Sequence, residues 1–226
     1  MLVRAILQTV ITFAIQAAIL LFAADDWTWR QGWTWIGELA AMSVAITGWL
    51  YVNDPELLKA RLSSPLKNGQ RPADMAIVIV VLALYLGWIA LLGLDARRFM
   101  WSSAPLPAQI VGATLVGAGL VLVWETFRAN TFFATTQVRV QAERQQTVVT
   151  TGPYRYVRHP MYAGMLLYMV GSPLVVGSLW GLAGSAAVML GMAARTLGEE
   201  KLLKAELDGY EAYMKATPWR IVPGIW

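Results

Sequence analysis

Residues 161–194 read MYAGMLLYMVGSPLVVGSLWGLAGSAAVMLGMAA, 34 positions without one charge. As one helix they would reach about 50 Å, against a hydrocarbon core of about 30 Å. Two complete spans would need about 40 residues. The stretch is too long to cross a bilayer once and short for crossing it twice. Gly171-Ser172-Pro173 and Gly177-Ser178, near its middle, are turn formers. The reading is a tight transmembrane helical hairpin. Packed helices lie about 8–10 Å apart, so both ends return to the same face as neighbours.

Those ends are polar. Upstream lies Gly152-Pro153-Tyr154-Arg155-Tyr156-Val157-Arg158-His159-Pro160, which holds the chain's single histidine. Downstream lies Arg195-Thr196-Leu197-Gly198-Glu199-Glu200. The hairpin predicts that His159 and Glu199 meet in space although 40 positions separate them.

The remaining sequence places this hairpin in a membrane domain. Only 14% of the residues are charged, against about 25% in soluble domains. Residues 5–24, 75–94 and 106–124 are uncharged, and 34–52 carries Glu38 alone, so each is long enough for a transmembrane helix. The first run exceeds the 7–15 apolar residues of a signal peptide and reads as an uncleaved span. With the N-terminus cytoplasmic, every Lys and Arg except Arg30, Arg97 and Arg98 faces the cytoplasm, a strong positive-inside bias. Trp27, Trp29, Trp33 and Trp35 then mark the opposite interface as an aromatic belt. Topology accounts for the net charge of +4 without a nucleic-acid partner. The absence of cysteine excludes disulfides, thiol nucleophiles and thiolate metal sites, and one histidine excludes a histidine-rich metal centre.

The expected fold is all-α and integral to the membrane, in one domain covering 1–226. Four transmembrane helices occupy 1–124, and a cytoplasmic loop, ordered and partly extended, occupies 125–160. The hairpin occupies 161–194, and an amphipathic cytoplasmic helix with an irregular tail occupies 195–226. That helix is expected over 199–216, with Leu202, Leu203, Leu207, Tyr210, Tyr213 and Met214 along one side. Residues 55–62 (PELLKARL) form a short interfacial helix, and Gly112, Gly117 and Gly119 serve close helix packing. Gln8 and Gln16 also serve packing, while Glu38 sits at a solvated interface near the tryptophans.

His159 can exchange hydrogen bonds with a polar ligand or titrate near neutrality, or simply anchor an interface before a helix-starting proline. Arg195 and Glu199, four apart, share a helical face. They read either as a surface ion pair or as an anion anchor with a carboxylate partner, Glu199 or Glu200. Tyr154 and Tyr162 could stack on an aromatic ligand.

Together these residues resemble the isoprenylcysteine carboxyl methyltransferase family and its relatives, the phospholipid N-methyltransferases. The resemblance rests on Val140-Gln141, Gly152-x-Tyr154, Arg158-His159-Pro160-x-Tyr162-x-Gly164, and Arg195 followed by Glu199-Glu200. It covers 125–226, close to half the chain, and suits a compact prokaryotic-type member. It implies S-adenosylmethionine as methyl donor at the cytoplasmic face, with S-adenosylhomocysteine as product. The cofactor contacts it implies are Gln141, Thr147, Val148, Val149, Tyr154, His159, Pro160, Met161, Tyr162 and Glu199. Arg195, Glu199 and Glu200 would be catalytic, with Arg195 facing the reacting group. The implied partners are the lipid bilayer and a lipophilic small molecule, phospholipid or prenylated acceptor. The connection from Gln141 to Val149 is shorter than in eukaryotic members. Sterol reductases, which use a nicotinamide cofactor, resemble the same half but are usually much larger. A non-catalytic protein retaining the fold is the third reading.

Overall fold

A computed structural model describes residues 2–62, 72–130 and 147–226. Among these residues every regular element is helical. Four helices are long and apolar enough to cross a membrane: α1 (Leu2–Ala24), α2 (Arg30–Asn53), α4 (Pro72–Gly93) with its continuation, and α5 (Leu106–Ala129). They identify an integral membrane protein. The short α3 (Pro55–Arg61) begins where the Asp54 carboxylate accepts the Leu57 N–H at 2.9 Å. It ends at Leu62, whose carbonyl accepts from Arg4 at 3.0 Å and from Gln8 at 3.5 Å. Leu57, Leu58 and Leu62 of this segment bury against Ala5 and Leu50.

After α4 the chain widens into a π-helical turn, Leu94–Arg98, closed by the bond from Phe99 N–H to Leu94 O. Asp95 within it is fully buried and accepts from the hydroxyls of Ser102 at 2.7 Å and Ser178 at 2.6 Å. The Trp180 N–H adds a third bond at 3.1 Å. Asp95 thereby ties the end of α4 to the turn between α6 (Pro160–Val176) and α7 (Trp180–Glu206). At the same end of the bundle, Arg97 pairs with Asp26 at 2.7 Å.

That turn begins at Gly177, whose φ of +89° ends α6 in the left-handed region that glycine tolerates. Gly171 and Pro173 lie inside α6 rather than at the turn. Gly171 has a packing role. A Cβ there would sit 2.6 Å from the Gly112 carbonyl of α5, and one on Gly112 would sit 2.7 Å from the Gly171 carbonyl. One level away, a Cβ on Gly119 would approach the Gly164 carbonyl to 2.5 Å. The two antiparallel helices use matched glycine pairs, 112 with 171 and 119 with 164, to bring their backbones together. Gly117, expected to serve the same purpose, meets nothing within 4 Å.

Two further expectations change. Trp29 and Trp35 leave the interfacial belt for the core, at 5% and 0% exposure, whereas Trp27 and Trp33 are exposed. Trp35 stacks on Tyr168 and meets Trp88 edge-on, because apolar faces of α2, α4 and α6 converge there. Glu38 belongs to the interior of α2, not its solvated end, and one of its carboxylate oxygens is buried without a hydrogen-bond partner. Gln16, for its part, accepts from the Tyr85 hydroxyl at 3.4 Å.

The helix following the apolar stretch also differs from expectation. α7 runs unbroken from Trp180 through Arg195 to Glu206. Gly198 does not interrupt it. The break comes at Gly209, with φ of +84°, after which α8 (Tyr210–Ala216) packs Tyr210 and Tyr213 inward.

The glycine pairs give a direct test. Gly164→Ala should lower the thermal midpoint in detergent, overpacking costing about 1–3 kcal/mol. Gly117→Ala should leave it equal or raise it, since alanine favours an exposed helix by up to about 1 kcal/mol. Equal shifts in both variants would contradict the close approach.

Candidate functional site

The site lies at the end of the bundle opposite Asp95, where α6 begins and α7 loses its apolar character. Pro160 opens α6 with its fixed φ and missing N–H, both suited to the first helical position. His159 is therefore held in the non-helical residue just before the helix. Its neighbour Arg158 is turned inward, and both are buried, at 5% and 6% exposure.

What they face is Glu200, itself only 5% exposed. One carboxylate oxygen accepts from Arg158 Nε at 2.7 Å and lies 3.3 Å from His159 Nε2. The other accepts from Arg220 Nε at 2.8 Å. Arg158 also donates from one terminal nitrogen to the carbonyls of Thr217 at 2.8 Å and Pro218 at 2.7 Å. Backbone bonds run alongside: Arg158 N–H to Trp219 O at 2.9 Å and His159 N–H to Arg220 O at 2.8 Å. One carboxylate thus joins α7, the entrance of α6 and the C-terminal tail.

The electrostatic consequence separates the two glutamates. Burial alone would raise the Glu200 pKa, but hydrogen bonds from His159, Arg158 and Arg220 outweigh it and hold the carboxyl at about 2. A carboxylate so stabilised and so fully occupied is a poor proton acceptor at neutral pH. Glu199 points elsewhere. It accepts the Tyr162 hydroxyl at 3.0 Å, and Arg195 interacts with that same hydroxyl. The imidazole of His159 stacks on the Tyr162 ring, centroids 5.6 Å apart and planes 12° from parallel. His159 therefore meets Glu200 directly, while Glu199 joins the group through Tyr162.

A second cluster adjoins the first. Tyr154, in the 3₁₀ turn Gly152–Arg155, packs with Leu207, Tyr210 and Tyr213, and with half-buried Val148 and Val149. Its hydroxyl accepts from Asn130 at 2.9 Å, and its carbonyl accepts the Tyr213 hydroxyl at 2.8 Å. The Tyr210 hydroxyl is buried without a hydrogen-bond partner. Burial first, then the Glu200 and Glu199 charges, push its pKa upward, so at neutral pH it remains a proton donor. Between the chain at Val148–Arg155 and α8 lies an open hollow of about 460 Å³, walled by Val148, Thr150, Tyr213 and Thr217.

Of the residues singled out by sequence, the structure brings Val148, Val149 and Tyr154 into one cluster. It brings His159, Tyr162, Arg195, Glu199 and Glu200 into the other. Pro160 and Met161 form the first turn of α6, Pro160 buried and Met161 half-buried. Thr147 is exposed. Gln141 lies outside the described residues. Sequence reasoning overlooked Arg220 and the partnerless hydroxyl of Tyr210. A basic residue in an aromatic-rich tail was the available signal for Arg220.

Glu200 also sets a pH dependence. Its folded pKa lies below the ordinary 4.5, so its contribution is complete above that value and disappears as pH falls toward about 2. The chain lacks cysteine, so Ile225→Cys, at an exposed position, accepts a single mobility probe. The probe should loosen between pH 4.5 and 2 in the parent chain and be loose at all pH in Glu200→Gln.

Residues 107–207 match the family model for phospholipid methyltransferase. No curated protein matches the chain in sequence. The matched span contains Arg158, His159, Tyr162, Arg195 and both glutamates, and it ends before Tyr210, α8 and Arg220. It supports placing the chain in the phospholipid and isoprenylcysteine methyltransferase superfamily and implies methyl-transfer chemistry in general.

Proposed function

We propose that the protein is a membrane methyltransferase that uses S-adenosylmethionine and methylates a lipophilic or amphiphilic acceptor at the cytoplasmic face. The observation that carries this reading is the convergence of His159, Tyr162, Arg195 and Glu199 within the matched segment. The donor set fits the cofactor. Glu199 offers a carboxylate to its cationic groups, and the buried Tyr210 hydroxyl has a bond to give. Tyr154, Val148 and Val149 offer an aromatic and aliphatic surface for its base. Gln141, Thr147, Pro160, Met161 and His159 complete the proposed binding set. When bound, the cofactor supplies an electrophilic methyl group on a sulfonium.

The chain's own residues orient the acceptor and exclude water. Arg195 is suited to hold a carboxylate acceptor through paired hydrogen bonds, and such an acceptor needs no base. Glu200, committed to Arg158, Arg220 and His159, acts as a positioning residue that fixes His159 and the tail. This favours carboxyl O-methylation of the isoprenylcysteine type. A phospholipid amine is the second reading, favoured by the description of the matching family. There Glu199 would take the amine proton.

Calorimetry and labelled-methyl transfer in detergent test these roles. His159→Ala and Glu199→Ala should each weaken cofactor binding about 10- to 100-fold, the worth of a charge-assisted hydrogen bond, without loss of fold. Arg195→Ala should lower turnover about 100-fold with cofactor affinity nearly unchanged. The reverse pattern would overturn the assignment, as would a parent chain that binds no cofactor.

A further inference from the structure

The C-terminal loop, residues 219–226, does more than follow α8. It is a closed unit: the Trp226 oxygen accepts the N–H groups of Arg220, Ile221 and Val222 at 2.8, 3.0 and 3.2 Å. The Arg220 guanidinium lies over the Trp226 ring, 5.2 Å from its centroid, while reaching Glu200 with its Nε. The loop is therefore pre-shaped and fastened to the buried carboxylate.

Three of its apolar side chains, Ile221, Val222 and Trp226, pack on the membrane domain, while Ile225 is exposed. Ile221 is 4% exposed and shares a buried cluster with Tyr162 and Met192, flanked by half-buried Val222, Trp226 and Met189. Val81 of α4 joins the same cluster and belongs to the spanning segment Met75–Arg98. A loop that follows the charged surface of α8 thus returns to the depth of a membrane helix. Met192 and Arg195 are three residues apart on α7, so they share a face about 4.5 Å apart along the axis. Tyr162 touches the apolar cluster with its ring and Glu199 with its hydroxyl. An acceptor with its polar group at Arg195 would have its hydrocarbon part beside this cluster.

We propose that the loop forms one wall of the acceptor entrance, and that Ile221, Val222 and Trp226 select the hydrocarbon chain of the acceptor. The proposal rests on the methyltransferase reading above. Its occupant is the apolar part of the acceptor because polar and apolar surfaces are continuous at Tyr162. Arg220 and Glu200 position the wall without touching the hydrocarbon.

The test uses the full chain in nanodiscs with labelled S-adenosylmethionine. Two acceptor series are offered: N-acetylcysteines bearing geranyl, farnesyl or geranylgeranyl groups, and phosphatidylethanolamine vesicles of short or long acyl chain. In Trp226→Ala and Ile221→Ala the ratio of kcat/KM between long and short acceptors should shift about tenfold, with cofactor Kd unchanged. Ile221→Val, which retains packing, should shift it in the same direction by less. Leu190→Ala, on an exposed face of α7, should not shift it. An unchanged ratio in the loop variants, with transfer intact, would overturn the wall and leave the methyltransferase reading standing. A fall in cofactor affinity with equal loss on every acceptor would overturn it too, by assigning the loop to the cofactor. No transfer to either series by the parent chain would instead overturn the methyltransferase reading and the wall with it.

Discussion

A buried carboxylate held by two guanidinium groups and an imidazole organises the functional end of this molecule. Withdrawing Glu200 from water carries a large desolvation cost, offset only because Arg158, His159 and Arg220 supply donors in good geometry. The partners come from three places: the segment before α6, the tail, and α7, which carries Glu200 itself. Two backbone bonds, from the N–H groups of Arg158 and His159 to the carbonyls of Trp219 and Arg220, join the first two segments, and the charge network fastens both to α7. Removing the carboxylate would leave the buried Arg158 and His159 side chains without their shared acceptor. The tail is therefore part of the site.

The opposite end uses a related device in a different setting. Asp95 accepts two serine hydroxyls and a backbone N–H, and it fixes the turn from which α6 and α7 diverge. Between these anchors, α6 lies against α5 through paired glycines at 112–171 and 119–164. Trp88 of α4 donates to the Gly181 carbonyl of α7 at 2.9 Å. Each arm is bound chiefly to an outside helix, and the two arms meet again at His159 and Glu200. That arrangement fixes the rotation of each arm and presents Tyr162 and Arg195 to the same space.

Much of this was legible because its signals are local or compositional. Uncharged length marked the four spanning helices, and proline followed by an apolar run marked the start of α6. The glycines of α5 announced a close contact, although sequence alone did not separate Gly119, which packs, from Gly117, which does not. The rest depended on tertiary choices. Whether a tryptophan near a helix end faces lipid or core is decided by neighbouring helices, and Trp35 found Tyr168 and Trp88. Adjacent glutamates on a helix point about 100° apart, so Glu199 and Glu200 had to differ. Which of them was buried depended on Arg220, twenty residues away in a segment without regular pattern. A helix over 199–216 was expected, whereas Gly209 adopts a positive φ and divides it into the end of α7 and α8.

The division between the two glutamates has a consequence for the chemistry. Charge on Glu200 is matched by guanidinium groups within 2.8 Å and contributes little field beyond them. Glu199, bonded to a neutral phenol and half-exposed, keeps a charge that an approaching cation can feel. Under the proposed function the sulfonium's positive charge would be neutralised by a carboxylate acceptor or passed to an amine, so an intense negative field at the sulfonium would favour the starting state over the transition state. Under the proposed function one carboxylate would suffice to attract the cofactor, and Arg195 nearby would limit how strongly it is held. On that reading the adjacent glutamates would divide two tasks, Glu200 architecture and Glu199 binding, that a single exposed acidic pair could not perform together.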